Sequence, residues 1–351
     1  MNYVLQNILI DVAVNYCVIY SILKTTEGFE LYKSYLKKDK VNYIKETPKL
    51  MNQYSNFNKD IIKDTKFKEY IRNFYETLDK QFSKEELIIL RNNLTSLQIK
   101  KKSVGLVQLI ASAKAFYSSF SNQIVIYSNK DISDSIYHEL FHMASSVVDN
   151  KEIHSGFRQN VCLGKGNMGI GINEGYTQLL TERYFPIKRS CYPLEKHLVS
   201  NLEEIVGLKE MEKLYLQANL KRLVDTLHSY SSDSDIITFI NKMDFLIHRF
   251  DSTFPFKDKM VENSLKCINS FLIKSYAKKE EQALDKERFS ADDYRYHLIN
   301  YIMSLGNNIQ QDRKKYQVFS PDEMDSLLTS VHLDSISNDQ KEIIKRNRIK
   351  I

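Results

Sequence analysis

The sequence predicts a mainly α, α+β fold in which a small sheet lies between two helical regions. Only 10 glycines and 5 prolines punctuate the 351 residues, and so few chain breakers favour long helices. Apolar residues recur at helical spacing before and after the middle of the chain, whereas the middle contains short β-rich runs. We therefore divide the chain into an N-terminal helical region (1–103), a central core (104–190) and a C-terminal helical region (191–351).

Charge and cysteine content exclude several classes of protein. The 50 basic and 44 acidic residues leave a net charge of +6 that is spread along the chain, so we predict no nucleic-acid partner. Four widely spaced cysteines form no C-x-x-C pair, which indicates buried thiols in a reducing compartment. Residues 3–22 are the most apolar stretch, but they contain Asp11 and follow no positive segment. We predict a core helix there, no membrane span, and a cytoplasmic protein; an unconventional export route would leave no mark in the sequence.

Two short strands are predicted at the start of the central core. Residues 113–118 and 122–128 are rich in aromatic and β-branched side chains and flank a serine-containing turn. The second strand carries Ile124, Val125 and Ile126. A further strand is predicted over residues 154–162.

A helix that carries a metal-binding motif follows the two strands. Asp131 is a suitable N-cap, and no proline or glycine interrupts residues 132–148, whose apolar residues recur at helical spacing. His138 and His142 lie one turn apart on the same face, so both imidazoles can reach one metal ion. The intervening Glu139 completes an H-E-x-x-H motif, which is typical of zinc sites in which the glutamate acts as general base.

A catalytic zinc ion needs a third protein ligand and one open position. The metzincin extension of the motif would require glycine at position 145 and histidine at position 148, but the chain has Ser145 and Val148. A second helix is predicted over residues 171–182, with Glu174 in its first turn within the sequence Asn-Glu-Gly.

With both motifs present, residues 113–185 resemble the gluzincin metallopeptidases, whose third zinc ligand is a glutamate on a separate helix. The resemblance implies a zincin-like catalytic core in which His138, His142 and Glu174 bind Zn²⁺. It also implies that Glu139 takes a proton from the attacking water and passes it to the leaving amine of a peptide or protein substrate. The family's oxyanion donor is commonly Tyr, His or Arg, and Tyr176 is our first candidate. Three further candidates are His154, Arg158 and Tyr184.

The resemblance has one departure and one structural implication. Thermolysin-like members place an aspartate four residues after the ligand glutamate, where it supports a zinc histidine, but this chain has Gln178. Zincin-like enzymes also place an edge strand just before the H-E-x-x-H helix. We therefore predict that Ile124, Val125 and Ile126 bind an extended substrate; the alternative is a hairpin with no binding role.

Five of the glycines cluster between residues 164 and 175, and we interpret the cluster as a flexible loop that shapes the cleft and delivers Glu174. A phosphate-binding P-loop is excluded because Gly166 stands where serine or threonine is required. Two alternatives to a peptidase stay open. One is a zinc hydrolase of non-peptide bonds, and the other is a binding or regulatory protein that keeps the site for structure.

Overall fold

The computed structural model describes residues 44–47, 57–58, 67–101, 115–127, 132–149, 152–161, 167–188, 190–251, 258–284, 286, 290–311, 314–333 and 335–351. The predicted helix at residues 3–22 and the predicted cap Asp131 lie outside these ranges. So do Gly164 and Gly166 of the glycine cluster.

The predicted fold class is confirmed, since the described part of the chain contains 12 helices and only small sheets. The helices of the first two regions are α1 (Lys68–Asp79), α2 (Ile88–Leu94), α3 (Ser133–Ala144) and α4 (Ile170–Tyr184). The C-terminal region contains α5 (Pro193–Val206), α6 (Leu208–Leu216), α7 (Leu220–Leu227), α8 (Asp233–Asp251), α9 (Asp258–Leu284), α10 (Ala291–Leu305), α11 (Pro321–Ser330) and α12 (Asn338–Arg346). None of these helices has a stretch long and apolar enough to cross a membrane.

In the described ranges, ten short strands form three sheets. The first has the order β1-β3-β2 and consists of β1 (Gln98–Lys101), β2 (Ala115–Ser118) and β3 (Gln123–Ile126). The second has the order β4-β5-β6-β7 and consists of β4 (Ser146–Asp149), β5 (Glu152–Ser155), β6 (Arg158–Val161) and β7 (Asn167–Met168). The third has the order β10-β8-β9 and consists of β8 (Asn308–Gln311), β9 (Lys314–Gln317) and β10 (Arg348–Lys350).

The prediction that Ile124, Val125 and Ile126 lie on an edge strand is wrong. Strand β3 pairs with β1 in parallel on one side and with β2 in antiparallel orientation on the other. Its backbone groups therefore already serve two ladders, and β3 has no free edge for a substrate. Strand β1, at residues 98–101, pairs with the side of β3 that the prediction had left open.

The H-E-x-x-H helix is shorter than predicted. Helix α3 ends at Ala144, and residues 146–149 form strand β4 instead of a fifth helical turn. The β-branched pair Val147 and Val148 favours an extended backbone, and β4 pairs in antiparallel orientation with β5. The single strand predicted over residues 154–162 is also wrong. Gly156 adopts a positive φ of 54° and turns the chain into a β5–β6 hairpin.

One hydrophobic cluster contains buried residues from all three predicted regions. The boundaries between these regions stay a prediction. The ring of Phe74 on α1 lies 4.9 Å from the ring of Phe141 on α3 and 5.5 Å from that of Phe185. Helix α4 crosses the middle of this core and packs against α3, α5 and α8. The helix that carries Glu174 is therefore held from several sides.

Candidate metal centre

Burial of its apolar face orients α3. Ile136, Leu140, Phe141 and Met143 are fully buried in the core. Apolar side chains at this spacing occupy one side of a helix. The other side of α3 faces the neighbouring α4, where Glu174 lies against both histidines. His138 and His142 lie on that side, which explains why a sequence motif becomes a pair of converging imidazoles.

The three predicted ligands converge on one point. Nε2 of His138 lies 3.1 Å from Nε2 of His142 and 3.2 Å from Oε2 of Glu174, and the third side of this triangle measures 3.3 Å. Two ligand atoms bound to one tetrahedral zinc ion at its usual bond length are about 3.3 Å apart. Among the described residues, His138, His142 and Glu174 form a group that can hold a metal ion.

The triad is mostly buried but keeps some contact with solvent. The exposed fractions of the His138, His142 and Glu174 side chains are 9%, 12% and 15%, so each ligand is mostly buried but reachable. Burial by itself would raise the pKa of Glu174. The imidazoles of His142 and His138 outweigh that effect and hold its pKa well below the usual range. Glu174 is therefore an anion at neutral pH, as a metal ligand must be.

Asn173 connects the metal site to the β5–β6 hairpin. Its side-chain oxygen accepts the backbone N–H of Phe157 at 3.1 Å, and its amide nitrogen lies 3.4 Å from Nδ1 of His142. An imidazole that binds a metal through Nε2 carries its proton on Nδ1 and then needs an acceptor there. With a metal ion on Nε2, the Nδ1–H of His142 would face the NH₂ of Asn173. Turning the amide over would supply an acceptor there but would set its NH₂ against the N–H of Phe157.

Glu139 lies beside the triad without joining it. Its Oε2 accepts the backbone N–H of Tyr117 on β2 at 2.8 Å, so the first sheet fixes the position of the carboxylate. Burial raises the pKa of Glu139 to about 7, and the charge of Glu174 adds to this shift, while His138 and the Tyr117 N–H oppose it. A metal cation at the triad would lower that pKa because it favours the ionised carboxylate.

Tyr176 is fully buried and its hydroxyl donates to Oε2 of Glu203 on α5 at 2.6 Å. The guanidinium of Arg183 binds the same carboxylate through both of its oxygens. A hydroxyl has one proton to give, so this placement contradicts the prediction that Tyr176 donates to a reacting oxyanion. The residue joins α4 to α5 instead.

We expect Tyr176→Phe to lower the free energy of unfolding by about 1–3 kcal/mol, because a buried carboxylate loses a hydrogen-bond donor. Metal content and any hydrolytic activity should stay within a few-fold of the parent. Chemical denaturation and metal analysis measure the two quantities separately. A hundred-fold loss of activity at unchanged stability would instead support Tyr176 as the oxyanion donor.

The other three candidate oxyanion donors also have partners elsewhere. His154 on β5 is buried, and its Nε2 lies 3.8 Å from a carboxylate oxygen of Glu152. Burial lowers the pKa of His154, which favours the neutral ring. The side chain of Arg158 donates to Asn167, and the hydroxyl of Tyr184 donates to Glu212.

The departure at position 178 has a structural counterpart. The amide nitrogen of Gln178 donates to Glu182 at 2.9 Å. Nδ1 of His138 is buried and has no hydrogen-bond partner among the described residues. The imidazole support that an aspartate gives in thermolysin-like enzymes is therefore missing from the described contacts of His138.

The described glycines of the cluster allow close packing between helices. Gly171 and Gly175 lie inside α4, not in a flexible loop as predicted. A Cβ at Gly171 would lie 2.2 Å from the carbonyl oxygen of Met243 on α8, and one at Gly175 would lie 2.6 Å from backbone atoms of Glu195 on α5. These glycines let two helices approach the backbone of the helix that carries Glu174.

Tyr192 lies at the site but was not predicted from the sequence. Its ring centroid is 5.8 Å from that of His138, and its backbone has a φ of +42°, which is rare for a residue with a large side chain. It occupies the N-cap of α5, directly before Pro193. The available sequence signal was a bulky residue at a cap position that usually holds a small polar one.

Tyr215 was also not predicted from the sequence, and it contacts the helix that carries Glu174. Its fully buried hydroxyl lies 2.6 Å from that of Thr177, which is one turn after Asn173 on α4. Burial raises the pKa of Tyr215, so it is a neutral hydrogen-bonding residue. No local pattern could indicate this contact, because it joins α4 to the distant α6.

Comparison of the chain with protein-family models, with curated proteins and with solved structures found no match. The likeness to gluzincins therefore rests on the two motifs and on the convergence of His138, His142 and Glu174.

Proposed function

We propose that the protein is a zinc-dependent peptidase. The observation that carries the proposal is the triangle of His138, His142 and Glu174 ligand atoms, with the Glu139 carboxylate held next to it by a backbone N–H. A purely structural zinc site is normally closed by four protein ligands. Three ligands that are partly exposed to solvent, with an adjacent carboxylate, support a hydrolytic site.

In this proposal each residue has one task. A zinc ion at the triad would polarise a carbonyl group and lower the pKa of a water molecule towards neutrality. Glu139 takes a proton from the attacking water as the new C–O bond forms, and it then gives this proton to the leaving amine as the C–N bond breaks. The Tyr117 N–H orients the Glu139 carboxylate towards the triad during both transfers.

Among the described strands β2 is at the edge of the first sheet, and its edge replaces β3 as the proposed substrate platform. The Tyr117 N–H points away from β3 and towards Glu139, so the backbone groups of Ala115 face the same side by the two-residue alternation of a strand. An extended peptide that pairs with this edge would present its carbonyl groups beside Glu139 and the triad. This geometry supports a peptide substrate over a compact small molecule.

Tyr192 is the proposed donor to the oxyanion that forms during hydrolysis. Strained backbone positions cluster at functional sites, and this one places an aromatic ring beside a metal ligand.

We expect Tyr192→Phe to lower kcat by roughly ten- to a thousand-fold, with unchanged metal content, as for the loss of one oxyanion donor. Steady-state kinetics with a cleaved peptide measures the effect. Normal kcat in the variant would exclude Tyr192, and Tyr184→Phe is the control for loss of a phenol elsewhere.

The decisive experiment combines metal analysis with a mixed peptide library. Purified protein should carry about one zinc ion per chain and cleave library peptides, since three protein ligands and one open position define a catalytic site. A chelator should abolish cleavage, and added Zn²⁺ should restore it. Metal-loaded protein that cleaves no peptide would contradict the peptidase proposal.

A further inference from the structure

Helix α4 cannot cap its own N-terminus. The first N–H groups of any helix lack acceptors within the helix and are commonly satisfied by a side chain at the N-cap. The N-cap here is Gly169, which has a φ of +79° and no side chain to offer. A Cβ at this position would lie 2.0 Å from the carbonyl oxygen of Phe157, so no other residue fits.

Asp244 of α8 supplies the missing acceptor from outside the helix. Its Oδ2 accepts the N–H of Gly169 and its Oδ1 accepts the N–H of Gly171, both at 2.9 Å. Asp244 is 2% exposed, and its carboxylate lies at the positive end of the α4 dipole. The two helices cannot move closer at this contact, because the backbone of Met243 lies directly against Gly171.

This cap lies close to the metal ligand along the helix. The carbonyl of Gly169 accepts the N–H of Asn173 at 2.9 Å, and Glu174 is the next residue. One hydrogen-bonded turn therefore connects the Asp244 carboxylate to the residue that completes the triad. A shift of this turn would move Glu174 relative to His138 and His142, which belong to a different helix.

We propose that Asp244 is a positioning residue of the metal centre, through which the C-terminal helical region sets the metal affinity of the site. The inference rests on the proposed metal binding by His138, His142 and Glu174. Asp244 holds the first turn of α4 in the place where Glu174 meets the two imidazoles. Without these two hydrogen bonds, metal binding must also order the first turn of α4, and this cost lowers the metal affinity.

Asp244→Asn is the most conservative test. The amide oxygen can accept one of the two glycine N–H groups, while the amide NH₂ opposes the other. We expect Zn²⁺ affinity, measured by competition with a chromophoric chelator, to fall about ten- to a hundred-fold, as for lost support of a metal ligand. Asp235→Asn makes the same change on the exposed start of α8, and its affinity should stay within two-fold of the parent. A folded Asp244→Asn protein with parental affinity would overturn the proposal.

A double-mutant cycle separates positioning from general destabilisation. Two histidines one turn apart retain weak affinity for Ni²⁺, so the affinity of Glu174→Ala can still be measured. If Asp244 acts through Glu174, Asp244→Asn should lower the Ni²⁺ affinity of the parent but change that of Glu174→Ala by less than two-fold. An equal loss in both backgrounds would mean that Asp244 acts by another route and would overturn the proposal.

Amide hydrogen exchange in the unaltered chain tests the coupling even if the variant does not fold. Selective ¹⁵N labelling of glycine yields few signals, because the chain has only 10 glycines. Saturating Zn²⁺ should slow exchange at Gly169 and Gly171 and leave Gly306, the C-cap of α10, unchanged. Unchanged exchange at Gly169 and Gly171 in a zinc-loaded protein would overturn the inference. Failure of the parent to bind Zn²⁺ would instead refute the proposed metal site itself.

Discussion

Glu139→Gln is expected to reduce peptide hydrolysis by a hundred-fold or more while zinc content stays unchanged. Glutamine keeps the size of the side chain, and its amide oxygen can still accept the N–H of Tyr117. It cannot take a proton from water, so the step that Glu139 performs is lost. The rate of cleavage at saturating substrate, together with metal content and thermal stability, measures the effect.

Glu182→Gln is the matched control for this variant. Glu182 lies on α4 and pairs with Lys196 at 2.6 Å, outside the triad. The same loss of a carboxylate there should leave activity within a few-fold of the parent. Activity of Glu139→Gln close to that of the parent would refute Glu139 as the base. Equal zinc loading of an inactive parent and its variant would favour the structural or regulatory alternative.

Glu174→Ala is expected to remove most of the metal. The variant leaves only His138 and His142, and two imidazoles do not meet the three-ligand requirement of a catalytic zinc site. We expect zinc content below about one tenth of the parental value after dialysis against a weak chelator, and no measurable hydrolysis. Metal analysis by mass spectrometry measures the content directly, without reliance on a substrate.

The control for the ligand variant is Glu182→Ala, the same substitution two turns further along α4. It should bind one zinc ion per chain with parental affinity, as the three-ligand set is intact. Full zinc content in Glu174→Ala would overturn the ligand set. His154→Ala should then be tested, although its buried position beside Glu152 gives no reason to expect a role.

The sequence predicted those features that depend on neighbours within a few residues. The fold class, helices α3 and α4, and the pairing of His138 with His142 follow from periodicity and from the four-residue spacing of one helical turn. Helix α3 was predicted too long, because its interruption at Ala144 needs a strand partner, not a proline or glycine. Local pattern cannot report such competition between a helix and a sheet.

The order of strands could not be predicted for the same reason. Strand β1 lies in a lysine-rich run and pairs with β3 in parallel, and this pairing converts a predicted edge strand into a central one. The result moves the proposed substrate platform from Val125 and its neighbours to the edge beside Tyr117. Register and order depend on which segments meet in space.

The sequence by itself determined the type of chemistry that the site can support: two histidines one turn apart, an adjacent carboxylate and a second acidic residue on a later helix. The tertiary structure decided whether these groups meet, and it added Tyr192 and Asp244, which no motif includes. Asp244 lies 75 positions from Gly169, and its two hydrogen bonds exist only because α8 packs against α4. A helical repeat encodes contacts over one turn, whereas contacts between helices arise from the burial of their apolar faces in one shared core.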